Sequence, residues 1–229
     1  MNDIIVSMKK IELCIFDMDG LMLDTERYLW VSNERKALAE FGYEIDDDFL
    51  KRQMGGSWEV YRKNLMNKFG PDFPYEKYFE RILQLNKYTI ENTKLPKMKG
   101  LMELLEFLKK NHIRMSVATS TSKVQAHACL KNAEIYDYFE NIICGDEVSN
   151  AKPDPEIYIK SYEALGVSYE NVLIFEDAHN GALAALASKA RLILVPDLAY
   201  LSDDDKQKAF AVINNLEEAI DIIKKENQI

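Results

Sequence analysis

Residues Ile11 to Glu26 read IELCIFDMDGLMLDTE, an apolar, strand-like run that empties into four carboxylates, Asp17, Asp19, Asp24 and Glu26. Like charges crowded at one strand end repel, so the pattern costs stability unless a cation sits among them. Alternate strand residues point to one side, and the Asp-x-Asp spacing therefore aims Asp17 and Asp19 at a common point. Gly20 gives the backbone the freedom to turn sharply there. Taken alone, the stretch leaves two readings open, a solvated strand end or a cation site that does chemistry. A calcium loop does not fit, because Gly20 stands at the wrong offset and no helix precedes it.

One strand makes no sheet, so its partners must lie further along the chain. From Asp24 to Asn92 the sequence is nearly free of strand patterns; TERYLWVSNERKALAEFG and YEKYFERILQLNKYTIENT carry apolar residues at helical spacing. After Gly100 strand and helix alternate: IRMSVAT, NIICG, NVLIFED and RLILVP read as strands, with helical segments between them and LEEAIDIIKKE closing the chain. Alternation of this kind predicts an α/β fold, a Rossmann-like parallel sheet with helices on both faces, and apolar strands suit a sheet covered on both sides. The first strand belongs to that sheet. We therefore expect a core of residues 1–23 and 95–229 interrupted by an α-helical insertion at 24–94.

The chain has 229 residues, a formal net charge of −9, and 47% hydrophobic and 29% charged residues, an ordinary soluble composition. The negative charge argues against nucleic acid or an anionic membrane as partner. No apolar run approaches a membrane span. Cys14, Cys129 and Cys144 show no metal-ligand spacing, which suits free thiols in a reducing cytoplasm. We expect a monomer, a dimer being the alternative.

Ligands of open parallel sheets bind beyond the carboxyl ends of the strands. The second strand ends in Thr119-Ser120-Thr121-Ser122 ahead of a helix, where hydroxyls and free amides suit either a phosphate oxygen or plain N-capping. In NAKPDPEIY, Asp154 and Pro155 suit a helix start and Pro153 pushes Lys152 toward an extended conformation. A fourth strand ends in Glu176-Asp177. With Asp17 and Asp19 these make a hard-oxygen set suited to Mg²⁺, which takes a few carboxylates plus water and substrate phosphate.

In this order FDMDG, VATS, AKPDPEIY and IFEDAHNG resemble the four motifs of the haloacid dehalogenase superfamily of phosphohydrolases, in the branch of β-phosphoglucomutases and phosphoglycolate-type phosphatases, whose small helical cap follows the first strand. The likeness spans residues 10–220. It implies that Asp17 is the nucleophile and becomes an aspartyl phosphate, and that Asp19 protonates the leaving oxygen and then activates water. It implies that Thr119 and the Ser120 amide bind phosphoryl oxygens and that Lys152 neutralises charge. Mg²⁺ would be held by Asp17, the Asp19 carbonyl and Asp177, with Glu176 beside them. Asp19 favours phosphoryl transfer over carbon–halogen cleavage, because the dehalogenases do not carry it.

The implied substrate is a small phosphorylated metabolite, a sugar or polyol phosphate. The cap loop, with Gly56, Ser57 and Trp58, is expected to read its organic part, although an aromatic in a helical bundle is more often core. Sugar-phosphate mutases of this branch carry a His and an Arg where this chain has Leu29 and Trp58. Without that second phosphate clamp a hydrolase is favoured, a mutase being the alternative unless Arg52 or Arg62 shifts into play. A phospho-accepting signalling module is the rival from another class, since receiver domains also use Asp, Thr, Lys and Mg²⁺. Asp24 and Glu26 lie where the chain leaves for the cap and either face substrate or cap a helix, capping being favoured; His179 and Asn180 either touch the cap or fill a turn, the turn being favoured.

Overall fold

Six strands form one sheet: β1 (Leu13–Phe16), β2 (Arg114–Thr119), β3 (Asn141–Cys144), β4 (Val172–Glu176), β5 (Arg191–Leu194) and β6 (Ala211–Val212). Their spatial order is β3-β2-β1-β4-β5-β6, every pairing parallel. The structure, a computed structural model, describes residues 10–54 and 58–229. Between β1 and β2 the chain forms a π-helical turn, Glu26–Val31, that runs into α1 (Ser32–Glu40). There follow α2 (Asp47–Gln53), α3 (Trp58–Phe69), α4 (Tyr75–Asn92) and α5 (Leu101–Lys110). The remaining helices are α6 (Lys123–Asn132), α7 (Glu156–Ala164), α8 (His179–Ala187), α9 (Asp203–Lys208) and α10 (Ala219–Asn227). None of these helices is long and apolar enough to cross a membrane.

Strand alternation sorts the apolar residues onto two faces. Cys14, Phe16, Leu173 and Phe175 enter a core completed by Leu101, Leu104, Leu105 and Leu108 of α5 and by residues of α6 and α10. Leu13, Ile15, Val172 and Ile174 enter the opposite core, against Ile157 and Tyr158 of α7 and the alanines of α8. Both faces are thus covered, which is why these strands read as continuous apolar runs.

Helices α1, α3 and α4 bury a third core of their own, Ala37, Leu38, Tyr61, Leu65, Tyr78, Ile82 and Leu85 among its residues. In α4 the buried residues Tyr75, Tyr78, Ile82, Leu85, Asn86 and Ile90 fall three or four positions apart, save the adjacent pair Leu85-Asn86, and make a single helical stripe. The chain leaves and re-enters the sheet unit side by side: the Asp24 amide donates to Pro96 O and the Met98 amide to Met22 O, both at 2.9 Å.

Two elements had no counterpart in the sequence reading. β6 has two residues, too few for any periodicity, and pairs at the sheet edge beside β5. α9, DDDKQK, has no apolar face and is set by its cap: Ser202 Oγ accepts from the Asp205 amide at 3.1 Å, and Asp205 Oδ2 accepts from the Ser202 amide at 2.8 Å.

Candidate active site

β1 lies between β2 and β4, the place where the chain order of the sheet reverses and where open parallel sheets bind ligands. Asp17 follows β1 directly. Its amide donates to Phe175 O at 3.1 Å, which fixes its carboxyl beside the end of β4. Lys152, on the loop between β3 and α7, is only 6% exposed and is not a solvated surface lysine. Its Nζ donates to Asp17 Oδ1 at 2.6 Å, Glu176 Oε1 at 2.7 Å and the Ala118 carbonyl at 3.0 Å, which uses all three ammonium protons. The Tyr158 hydroxyl donates to the same Glu176 oxygen, and the ammonium lies 4.9 Å from the centre of the Tyr158 ring. Asp154 Oδ1 accepts from the Glu156 amide at 2.9 Å and so opens α7 just after the lysine.

Asp19 accepts from three hydroxyls: Thr25 at 2.6 Å, Thr121 at 2.7 Å and Thr119 at 3.1 Å. Thr119 is fully buried with its hydroxyl turned to Asp19, so Ser120, Thr121 and Ser122 form the cavity wall at the end of β2. The sequence reading gave the Thr119 hydroxyl to a phosphoryl oxygen; in this structure Asp19 takes it.

Asp17, Asp19, Glu26, Glu176 and Asp177 line one cavity in which Lys152 is the only lysine or arginine among the described residues. Fully ionised, five negative charges against one positive would leave four uncompensated in a largely buried site, which costs heavily. Burial is the main cause that pushes Asp17 up to about 7, Lys152 opposing it, and that pushes Glu26 up to about 9. Asp177 is likewise raised by burial and then by Glu26 and Asp17. Lys152 is held charged by Asp17 and Glu176 against its own burial. Asp177 Oδ2 and Glu26 Oε2 are buried without a hydrogen-bond partner. Asp17, Glu176 and Asp177 offer carboxylate oxygens within 4.8 Å of one another. Excess negative charge, hard oxygens and an unsatisfied carboxylate atom fit a small divalent cation. Glu176 Oε1 is taken by Lys152 and Tyr158, whereas Oε2 accepts only from the Asp177 amide at 3.2 Å.

Glycine is required where the cluster turns. Gly20 has φ +80°, and a Cβ there would stand 2.5 Å from Asp177 Oδ2 and 2.9 Å from Glu26 Oε2. For Glu26 the structure corrects the favoured reading, helix capping, and bears out the alternative: it lines the cavity. The reason is the π-helical turn Glu26–Val31, whose wider winding a 3.6-residue period does not anticipate. Asp24 pairs with Arg27 at 2.9 Å, and Arg27 also grips Asp197 through two bonds of 2.9 Å. His179 Nδ1 meets Asp205 Oδ2 at 2.6 Å as α8 begins, outside the cluster.

The cavity encloses about 180 Å³ and extends from these carboxylates to a wall of Trp30, Trp58, Tyr61 and Phe79. Trp58 does two things, lining the cavity and packing on Trp30, Tyr61 and Phe79. Gly56 and Ser57 lie outside the described residues. Arg62 pairs with Glu76 at 2.6 Å and lies over the Tyr75 ring, and neither it nor Arg52 lines the cavity. Thr25, Thr121, Tyr158, Trp30, Gln53 and Asn86 were not singled out from sequence. The two threonines flank residues that were, and Tyr158 stands one turn beyond Pro155, whereas no local pattern marks Gln53 or Asn86.

A family model described as haloacid dehalogenase-like hydrolase matches residues 14–195. The phosphorylated carbohydrates phosphatase of Thermotoga maritima is 34% identical over 174 residues, 76% of this chain and 80% of that protein. A Drosophila melanogaster protein described as probable pseudouridine-5′-phosphatase is 30% identical, with 91% of each chain covered. Among solved structures, the β-phosphoglucomutase of Clostridium difficile superposes with a TM-score of 0.79 at 26% identity, covering 95% of this chain and 97% of that one.

Proposed function

This chain belongs to the haloacid dehalogenase-like hydrolase family, and from that premise we propose that it is a Mg²⁺-dependent phosphatase acting on a small sugar or polyol phosphate through an aspartyl phosphate. The observation that carries this reading is the Lys152 bridge from Asp17 to Glu176, with Asp19 two residues on and held by three hydroxyls. Asp17 attacks phosphorus as its bond to the ester oxygen breaks, and Asp19 protonates that leaving oxygen. Asp19 then takes a proton from water, whose oxygen bonds to phosphorus and releases phosphate and the Asp17 carboxylate. Lys152 screens the repulsion between Asp17 and the phosphoryl group, and the Ser120 amide and hydroxyl, ahead of α6, bind its oxygens. Bound Mg²⁺ would supply further positive charge against those oxygens, held by Asp17, Asp177 and the Asp19 carbonyl with Glu176 Oε2 alongside.

Residues 24–94 act in this reading as a cap on a core of 1–23 and 95–229. Their separate apolar core and the paired crossings at Asp24 and Met98 support the division. Hydrolysis is favoured over mutase chemistry because Lys152 is the only lysine or arginine among the described residues lining the cavity, so a second phosphate finds no clamp. It is favoured over a signalling module because Asp19 stands where it can discharge the phosphoryl group.

The test is Asp17→Asn. We expect phosphate release from an aryl phosphate to be abolished with thermal unfolding unchanged; full activity in that variant would remove the mechanism.

A further inference from the structure

Donors inside the acidic cluster decide which carboxylate oxygens remain open to a cation. Three threonine hydroxyls take both side-chain oxygens of Asp19, Thr25 on Oδ1 and Thr119 and Thr121 on Oδ2. Glu176 is treated unevenly. Its Oε1 accepts from Lys152 Nζ at 2.7 Å and from the Tyr158 hydroxyl, whereas Oε2 accepts from the Asp177 amide at a longer 3.2 Å. A carboxylate oxygen has two lone-pair sites, so two donors fill Oε1. Glu176 can then meet a cation through Oε2 alone.

Tyr158 has no other evident task at the site. It is fully buried in α7 and does not line the cavity, so it touches the reaction only through its neighbours. Its ring lies 4.9 Å from the Lys152 ammonium, a cation–π contact that keeps the lysine beside the same oxygen. On the flank of Glu176, Gly181 of α8 stands so close that a Cβ there would overlap both carboxylate oxygens. The carboxyl is therefore held in one orientation from two helices.

The number of oxygens a carboxylate offers matters to the choice of cation. Mg²⁺ demands near-ideal octahedral geometry and keeps several waters, which suits carboxylates that each give one oxygen. Ca²⁺ takes more oxygens and accepts bidentate carboxylates in a flexible shell. We infer that Tyr158 is a positioning residue that sets cation selectivity: by filling Oε1 together with Lys152, its hydroxyl keeps Glu176 a one-oxygen partner and holds down Ca²⁺ binding relative to Mg²⁺. The inference rests on the phosphatase reading for the presence of a cation at this cluster.

Tyr158→Phe removes the hydroxyl and keeps the ring beside Lys152. Tyr162→Phe, one turn further along α7, removes a hydroxyl that donates to Ser188 O at 3.4 Å, outside the cluster, and serves as the control. The melting temperature of the full-length wild type and of both variants is followed against free Mg²⁺ and against free Ca²⁺, without substrate, to give a Kd for each cation. We expect Tyr158→Phe to shift the ratio of the two constants about tenfold in favour of Ca²⁺, the size of effect that partners of metal ligands have on affinity. We expect Tyr162→Phe to leave the ratio at the wild-type value. An unchanged ratio in Tyr158→Phe, even with a lowered melting temperature, would make the hydroxyl merely structural and overturn the inference while the phosphatase reading stands. An equal shift in Tyr162→Phe would overturn it as well. A wild type whose melting temperature responds to neither cation would remove the cation site, and the metal-dependent reading would fall with the inference.

Discussion

Gly20 shows how closely the carboxylates depend on the backbone beneath them. Gly20→Ala forces a side chain into φ +80° and into the space between Asp177 and Glu26. The backbone strain alone is worth roughly 1–2 kcal/mol. We expect lower thermal stability and a larger fall in kcat than in substrate affinity, because the displaced oxygens belong to the reacting end; unchanged kcat would show that the cradle tolerates a methyl group. Asp17, Asp19, Glu176 and Asp177 were legible because they follow apolar runs, which put them at strand ends, and Lys152 because it precedes a Pro-set helix. Glu26, Gln53 and Asn86 were not. Glu26 depends on a π-helical turn, Asn86 on which way the buried stripe of α4 faces the sheet, and Gln53 on the packing of α2 against α3.

The helices α1, α3 and α4 are joined by one buried acid. Glu34 of α1 accepts from the hydroxyls of Tyr61 and Tyr78, its other oxygen is unpartnered, and burial pushes it up to about 8 while the Tyr61 bond opposes. In the unfolded chain it titrates at its ordinary value near 4.5. Its folded value is raised, so its stabilising contribution is complete below about 4.5 and is lost as pH rises to about 8, at roughly 1.4 kcal/mol per unit of the shift. We expect urea unfolding of the wild type to show stability falling between pH 5 and 8 with a component that Glu34→Gln removes; an identical slope in the variant would show that the acid is ionised throughout. The strands and longer helices were readable because each repeats its apolar period several times. β6 and α9 were not, since two residues carry no period and an all-polar helix is fixed by its capping box.

The helical unit and the sheet unit meet above the strand ends through Arg27 and Asp197 and through an apolar seam of Met54, Ala178 and Ala199. This seam closes one side of the cavity, and no single stretch of sequence encodes it, because its residues come from three separate segments. The uncompensated carboxylates beneath should make folding respond to divalent cations. We expect Mg²⁺ to raise the melting temperature and EDTA to reverse it, with about 2.7 kcal/mol gained at a hundredfold excess over Kd. Asp177→Asn should abolish the shift, and a shift that persists in that variant would place the cation elsewhere. The most direct measurement is acid-quenched turnover of Asp19→Asn on an aryl phosphate with Mg²⁺, followed by peptide mass mapping. One phosphoryl group on Asp17 is the predicted result; phosphate release with no adduct, or with the adduct on another residue, would contradict the account.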